Sequence, residues 1–218
     1  MWFPAFDAWG YTYGWKVVVL AHSSCSPWAR PWLSASTVLW GGVTVGSCET
    51  WRKNAISAIT ALHPSVVIPV GTVADTDASK SASPSQLATA ISGLVTSLKA
   101  SRLTPLLLRP IPNFLLASSP TTCFSAHANN LTSCEVTNSQ AATTKIVQGY
   151  ITAAASSHTT LIPTQSLFCG PKYCPIFVKV GTTTYIVYED GYHMSHQYSQ
   201  ILGAALGPLL NAVLPMKP

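Results

Sequence analysis

The amino-acid sequence predicts an α/β fold in which helices cover both faces of an open parallel sheet. Residues 16–21 read KVVVLA, and a strand that is apolar on both faces belongs in a buried parallel sheet. Similar short runs alternate with amphipathic stretches along the chain, which is typical of parallel sheets. The 218 residues are 48% hydrophobic and 9% charged, enough for a sizeable core, and we expect a single domain over 1–218.

The N-terminal half is expected to supply two helices around the first strands. Residues 1–14 are predicted to be helical, because Pro4 suits a first turn and aromatic residues recur at helical spacing. An amphipathic helix is predicted over 49–62, where Pro64 stops it, and a second buried strand over 65–70. These elements begin the strand–helix alternation.

The C-terminal half continues this alternation. We predict helices over 85–101 and 139–157, and strands over 105–109, 160–163 and 185–188. A closing helix is expected to begin near Ser195, whose hydroxyl can accept a hydrogen bond from the first turn as an N-cap. The irregular connections between these elements are where ligand-binding residues are expected.

The composition excludes several classes of protein. Lys and Arg number 12 against 7 Asp and Glu, and they are scattered rather than clustered, so we expect no nucleic-acid partner. No run of about 20 apolar residues predicts a membrane span. The N-terminus lacks the basic region and uniform apolar run of a signal peptide.

Six cysteines lie as three neighbouring pairs in loop-like contexts. Six cysteines allow fifteen connectivities, but joining each cysteine to its neighbour closes short loops and leaves no thiol over. Disulfides indicate an oxidising compartment, so we expect an extracytoplasmic protein. The favoured pairs are Cys25 with Cys48, Cys123 with Cys134, and Cys169 with Cys174.

A metal site is the competing interpretation of one cysteine pair. Cys169 and Cys174 could join His193 and His196 in a zinc site, but both spacings are loose for zinc, and an apolar stretch separates the pairs. We therefore expect no metal and no cofactor.

The most informative segment for chemistry lies just before the closing helix. Asp190 and His193 are three residues apart in a predicted strand-to-helix turn, so the carboxylate can hold one imidazole nitrogen and leave the other free. Sites in open parallel sheets lie beyond the carboxyl ends of the strands, where this turn is predicted. The pair is therefore the candidate orienting acid and general base of a nucleophilic hydrolase.

Three tryptophans precede Cys48 in an irregular stretch. Trp28, Trp32 and Trp40 could stack on a sugar ring, but packing in the core or within the loop is the favoured interpretation.

Motifs along nearly the whole chain resemble the SGNH (GDSL-like) hydrolases. The resemblance is closest to the SGNH domain that follows the membrane acyltransferase-3 domain in bacterial surface-polysaccharide O-acyltransferases. It implies a flavodoxin-like sheet of order 2-1-3-4-5, in which the first strand is internal. The segments that carry it are 2–6 (WFPAF), 14–18 (GWKVV), 48–52 (CETWR), 64–68 (PSVVI) and, most specifically, 190–195 (DGYHMS).

The resemblance also implies where a nucleophile and an oxyanion hole should lie. In the family, a Gly-Asp-Ser motif ends the first strand, directly before the helix that begins here at Trp2, so we expect this chain to lack that strand and its serine. A rival placement puts the nucleophile at Ser23, where neither the Gly nor the Asp of the motif is present. Gly71 could let a backbone N–H approach the oxyanion, although a glycine at a strand end is more often a turn residue.

By this resemblance the protein is an extracytoplasmic serine esterase or O-acyltransferase that acts on acyl esters of a cell-surface glycan. Its partners would be an acylated glycan or acyl donor and a membrane acyltransferase domain, and we expect a monomer. The alternative is a catalytically inert remnant or glycan-binding accessory domain that lacks the nucleophile.

Overall fold

The structure is a computed structural model that describes residues 2–71, 82–112, 120–142, 144–190 and 193–214. The helices of this part are α1 (Phe3–Tyr13), α2 (Val45–Leu62), α3 (Pro84–Ala100), α4 (Pro120–Ala126), α5 (Asn138–Ala142), α6 (Lys145–Ser156) and α7 (His196–Asn211). The strands are β1 (Leu107–Leu108), β2 (Val136–Thr137), β3 (Leu161–Ile162), β4 (Tyr173–Cys174), β5 (Phe177–Val180) and β6 (Thr183–Ile186). This mixed architecture confirms the predicted α/β class.

The chain forms two compact units. The first unit comprises Met1–Val19, Ile111–Thr144 and Pro163–Pro218, and the second comprises Leu20–Pro110 and Lys145–Ile162. Each unit is described below by itself.

The second unit contains the parallel pairing of the fold. β1 and β3 are parallel, with Leu107 opposite Leu161, and a parallel bridge joins Val67 to Pro105. The predicted strand 65–70 is thus reduced to a single bridge. Helices α3 and α6 pack together over this sheet. The core between them is built from Trp28, Leu87, Ile91, Val95, Leu107, Val147, Tyr150 and Ala153.

Two helices of the second unit begin at side-chain caps. The Thr44 hydroxyl accepts from the backbone N–H of Ser47, and the Ser47 hydroxyl accepts from that of Thr44, so α2 begins four residues before the predicted start. Ser83 and Gln86 form the same reciprocal pair at the start of α3. These caps satisfy N–H groups that the first helical turn leaves without an internal partner.

The predicted strand 16–21 is not a strand in the structure. The segment is not assigned to any sheet, and Val18, Val19 and Leu20 are 50, 48 and 41% exposed. The prediction was wrong because apolar, β-branched side chains show only that a segment can be buried. A strand also needs a neighbour with which its backbone can form hydrogen bonds. The segment therefore presents apolar side chains to solvent.

Helices α1 and α7 form the centre of the first unit. They approach closely because α7 carries glycine at positions 203 and 207, one turn apart on the same face. A Cβ at Gly203 would lie 2.6 Å from the Ala8 Cβ and 3.1 Å from the Ala5 carbonyl oxygen. Near the start of α1, the Ser199 hydroxyl accepts a hydrogen bond from the Ala5 backbone N–H at 3.2 Å. The first turns of α1 and α7 are therefore joined.

Replacing Gly203 by alanine is expected to destabilise the protein. Alanine favours a helix over glycine by up to about 1 kcal/mol, but a Cβ here meets backbone that cannot move aside, and overpacking costs about 1–3 kcal/mol. Gly93→Ala in α3 is the matched control, since a Cβ at Gly93 has no neighbour within 4 Å. Thermal unfolding should show a lower Tm for Gly203→Ala and an unchanged or higher Tm for Gly93→Ala; a higher Tm for both would contradict this account of the packing.

Disulfides join the three predicted neighbouring pairs. Cys25–Cys48 lies in the second unit, and Cys123–Cys134 and Cys169–Cys174 lie in the first. The zinc alternative is wrong, because the Cys169 and Cys174 sulfurs are bonded to each other. In the first unit, β2 pairs with β4 and β5 with β6, both antiparallel. None of the described helices is long and apolar enough to cross a membrane.

Candidate active site

The candidate site is the turn between β6 and α7, which hydrogen bonds hold at both ends. Tyr188 and Met194 form an antiparallel bridge, and the Glu189 backbone N–H donates to the His193 carbonyl oxygen at 2.8 Å. Ser195 caps α7 by accepting from the Tyr198 N–H at 3.2 Å, as predicted. The Ser195 hydroxyl itself donates to the Ile186 carbonyl oxygen at 2.5 Å, which ties the helix start to the end of β6.

Within this turn, each oxygen of the Asp190 carboxylate contacts His193. One carboxylate oxygen accepts from the His193 backbone N–H at 2.7 Å, and the other lies 2.6 Å from the imidazole Nδ1. An ionised carboxylate can only accept, so Nδ1 must carry the proton. The neutral imidazole then presents Nε2 as an acceptor. This is the arrangement that a general base requires.

Both side chains of the pair can be reached from solvent. The side chains of His193 and Asp190 are 51 and 50% exposed, whereas Met194 and Ser195, which follow directly, are buried. The two contacts with Asp190 therefore orient a solvent-accessible imidazole.

A buried aromatic cluster, formed by Trp2, Phe168, Tyr188 and Tyr198, packs next to the turn. The Phe168 ring contacts Trp2 edge to face at a centroid distance of 5.7 Å and lies 5.9 Å from the Tyr198 ring and 6.5 Å from the Tyr188 ring. The Tyr198 hydroxyl also donates to the Leu167 carbonyl oxygen. The start of α1, the start of α7 and the strand end that carries the turn are thereby packed around one side chain.

Two tyrosines of this cluster are expected to make the free energy of unfolding depend on pH in the alkaline range. Burial raises the pKa of Tyr198 to about 12, and burial together with the neighbouring Tyr198 raises that of Tyr188 well above its ordinary value. Their stabilising effect is complete below about pH 10, where the phenols of the unfolded chain are still protonated, and is lost as the pH rises towards the folded-state values.

We therefore expect the unfolding free energy to fall by up to about 1.4 kcal/mol per pH unit for Tyr198 between pH 10 and 12, with Tyr188 adding to the fall in the same direction. A rapid pH jump that follows phenolate absorbance and circular dichroism together should show buried phenols ionising only as the fold is lost. Full ionisation with an intact dichroism spectrum would contradict the burial of these rings.

The position of α1 relative to the turn follows from these contacts. Trp2 has helical dihedral angles of φ −78° and ψ −17°, so the helical conformation includes the residue before Phe3. Trp2 is buried against Phe168, and Ala5 is bonded to Ser199 on the first turn of α7. The start of the opening helix thus lies at the same end of α7 as His193.

The other predicted site residues belong to the second unit. Ser23 is exposed on a turn, where His22 Nδ1 lies 2.7 Å from its carbonyl oxygen rather than from its hydroxyl. Gly71 packs closely: a Cβ there would lie 2.7 Å from both Pro27 and the Trp28 ring, and its carbonyl oxygen accepts from the Tyr150 hydroxyl at 3.4 Å. Close packing accounts for glycine at position 71, and the roles proposed for Ser23 and Gly71 remain predictions.

The three tryptophans differ in environment. Trp28 is 1% exposed in the core of the second unit, Trp32 packs against that core, and Trp40 is 82% exposed. Core packing, the favoured interpretation, therefore holds for Trp28.

Sequence reasoning did not identify the residues that support the site. Phe168 and Ser199 lie far from Trp2 and Ala5 along the chain, and no short motif links them. The useful signal was the recurrence of aromatic residues at 2, 188 and 198, next to segments already assigned to the site.

Comparisons with known proteins agree with this architecture. The model of the family described as SGNH domain (fused to AT3 domains) matches residues 1–208. Among solved structures, the lipopolysaccharide acetyltransferase periplasmic domain of Salmonella ser. Paratyphi A is similar, with a TM-score of 0.71 and 15% identity. The match covers 94% of this chain and 77% of that one, and at this identity it shows the fold alone. A comparison with curated proteins gives no match. Because the family model spans almost the whole sequence, the chain belongs to the family of SGNH domains that are fused to AT3 domains.

Proposed function

We propose that this chain is the SGNH domain of an extracytoplasmic serine esterase or O-acyltransferase that acts on acyl esters of a cell-surface glycan. The observation that carries the proposal is the contact of 2.6 Å between Asp190 and His193 Nδ1, in a pair whose side chains are both about half exposed. Membership of the SGNH family supports an acyl-transfer or esterase role. Three disulfides and the periplasmic origin of the similar solved structure support an extracytoplasmic location.

The pair would act on a serine hydroxyl in two stages. His193 Nε2 takes the serine proton as the oxygen attacks the ester carbonyl, and backbone N–H groups stabilise the tetrahedral oxyanion. Imidazolium then returns the proton to the departing alcohol, which leaves an acyl-serine. A water or a glycan hydroxyl attacks that ester, again losing its proton to His193, and the serine is restored. Asp190 keeps Nδ1 protonated and stabilises the imidazolium throughout.

We propose that the nucleophile lies on a strand that precedes Trp2 in the full-length protein and pairs beside segment 17–20, within a single SGNH-like domain. Two features support this placement. Val18, Val19 and Leu20 are apolar and half exposed, so an incoming strand could cover them. Trp2 is already helical and packs against Phe168, and Ala5 is bonded to Ser199, so the start of α1 lies beside the first turn of α7.

Transfer is favoured over hydrolysis by the family to which the domain belongs. An AT3 domain would supply the acyl group at the membrane, and the SGNH domain would pass it to the glycan. Water and a sugar hydroxyl are equivalent nucleophiles towards an acyl-serine, so access to the site decides between them.

The test is turnover of p-nitrophenyl acetate by two chains. One is the present sequence, and the other is extended by the upstream codons through the expected Gly-Asp-Ser motif. The matched control is the extended chain with its added serine changed to alanine. We expect turnover only in the extended chain with its serine intact.

Other results separate the alternatives. Turnover by the present sequence that is abolished by Ser23→Ala would place the nucleophile at Ser23 and overturn the preceding-strand proposal. A folded extended chain without turnover, towards this ester and towards acetylated glycan, would instead favour the inert or glycan-binding alternative.

A further inference from the structure

The second unit buries two arginines around one serine. Arg30 and Arg52 are 6 and 8% exposed, and Ser26 between them is 4% exposed. Arg30 donates to the Ser26 hydroxyl through Nε at 3.2 Å and Nη2 at 2.9 Å, and Arg52 Nη1 donates to the Ser26 carbonyl oxygen at 3.3 Å. Both cations therefore share one small polar residue.

The Arg52 guanidinium has fewer hydrogen-bond acceptors around it than donors. Its Nη2 is buried without a hydrogen-bond partner, and none of the described carboxylates forms an ion pair with it. Glu49, one turn earlier on α2, is exposed and acts on Arg52 only at longer range, while Arg30 adds a second positive charge nearby. Burial, the largest influence, lowers the pKa of Arg52.

Arg52 cannot avoid the cost of a buried charge by losing a proton, because the pKa of a guanidinium lies far above physiological pH. A buried charge without a partner is among the most costly features that a fold can contain, and native proteins pair such charges. A negatively charged hydrogen-bond acceptor would both pair with the N–H donor on Nη2 and neutralise the positive charge of Arg52.

We propose that Arg52 binds one small monovalent anion, a chloride or a carboxylate, against Ser26. Charge favours a monovalent occupant, because Glu49 acts on Arg52 only at longer range and no carboxylate in the described part of the chain pairs with it. Size favours a small one, because the surrounding residues are buried. The site is independent of the candidate active site and does not depend on the proposed function.

The experiment measures thermal stability of the whole chain while sodium gluconate, whose anion is much bulkier than chloride or acetate, is replaced by chloride or acetate at constant ionic strength. A ligand that binds only the folded state at about 100 times its Kd should raise Tm by about 5–10 °C. We expect this rise in the original protein and its loss in Arg52→Met. Lys53→Met is the matched control, since it removes an exposed charge from the next position of α2 and should keep the rise.

Several outcomes would overturn the proposal. These are no rise in the original protein, an equal rise in Arg52→Met, which would indicate a general salt effect, or a rise with sulfate alone. If Arg52→Met does not fold, crystals of the original protein grown in bromide decide the question. An anomalous peak beside the Arg52 guanidinium would support the site, and its absence at saturating bromide would exclude it.

Discussion

In a chain that carries the nucleophile, His193→Ala is expected to lower kcat for p-nitrophenyl acetate by about 1,000-fold or more. The variant removes the imidazole that accepts the serine proton in the proposed mechanism. The fold should persist, because the Asp190 carboxylate still accepts the backbone N–H of residue 193. Stopped-flow or steady-state release of p-nitrophenolate, with circular dichroism on the same samples, measures both properties.

Two further variants make this result specific. Asp190→Asn should lower kcat by about 100- to 10,000-fold, because an amide can donate to Nδ1 and favour the wrong imidazole tautomer. His196→Ala is the matched control, since His196 is an exposed histidine on the first turn of α7 and has no part in the proposed mechanism. Equal losses in His193→Ala and His196→Ala would refute the assignment of His193 as the base.

Trp28→Ala is expected to have the largest effect on stability, a loss of about 3–5 kcal/mol. The Trp28 ring is 1% exposed, meets the Tyr150 ring edge to face at a centroid distance of 5.6 Å, and fills the space in front of Gly71. Its removal leaves a cavity that backbone on one side and α6 on the other cannot easily close. In a protein of this size the loss corresponds to a Tm lower by about 10 °C.

Trp40→Ala is the control for this prediction. Trp40 is 82% exposed, so its truncation should change the unfolding free energy by no more than about 0.5 kcal/mol. Thermal and denaturant unfolding of both variants provide the comparison. Similar effects of the two substitutions would mean that Trp28 does not anchor the core of the second unit.

The sequence predicted local features better than distant ones. The contact of Asp190 with His193 and the cap at Ser195 involve residues three apart in one turn, where backbone geometry alone brings the groups together. Pairing neighbouring cysteines was predictable because short loops close easily. Phe168 could not be assigned to the site, because its contacts with Trp2 and Tyr198 exist only after α1 and α7 have packed.

Two errors have specific physical origins. The start of α2 was placed too late because Ser47, rather than the more usual Glu or Gln, completes the capping box with Thr44. Segment 16–21 was assigned to a buried strand from its side chains alone, whereas pairing depends on a neighbour that composition does not reveal.

That segment also bears on how the isolated chain should behave in solution. Three consecutive branched aliphatic side chains that are half exposed form an apolar surface to which another copy can add. Purified samples are therefore expected to aggregate as the concentration rises, and light scattering should detect it. Val19→Lys should improve solubility by placing a charge on that surface.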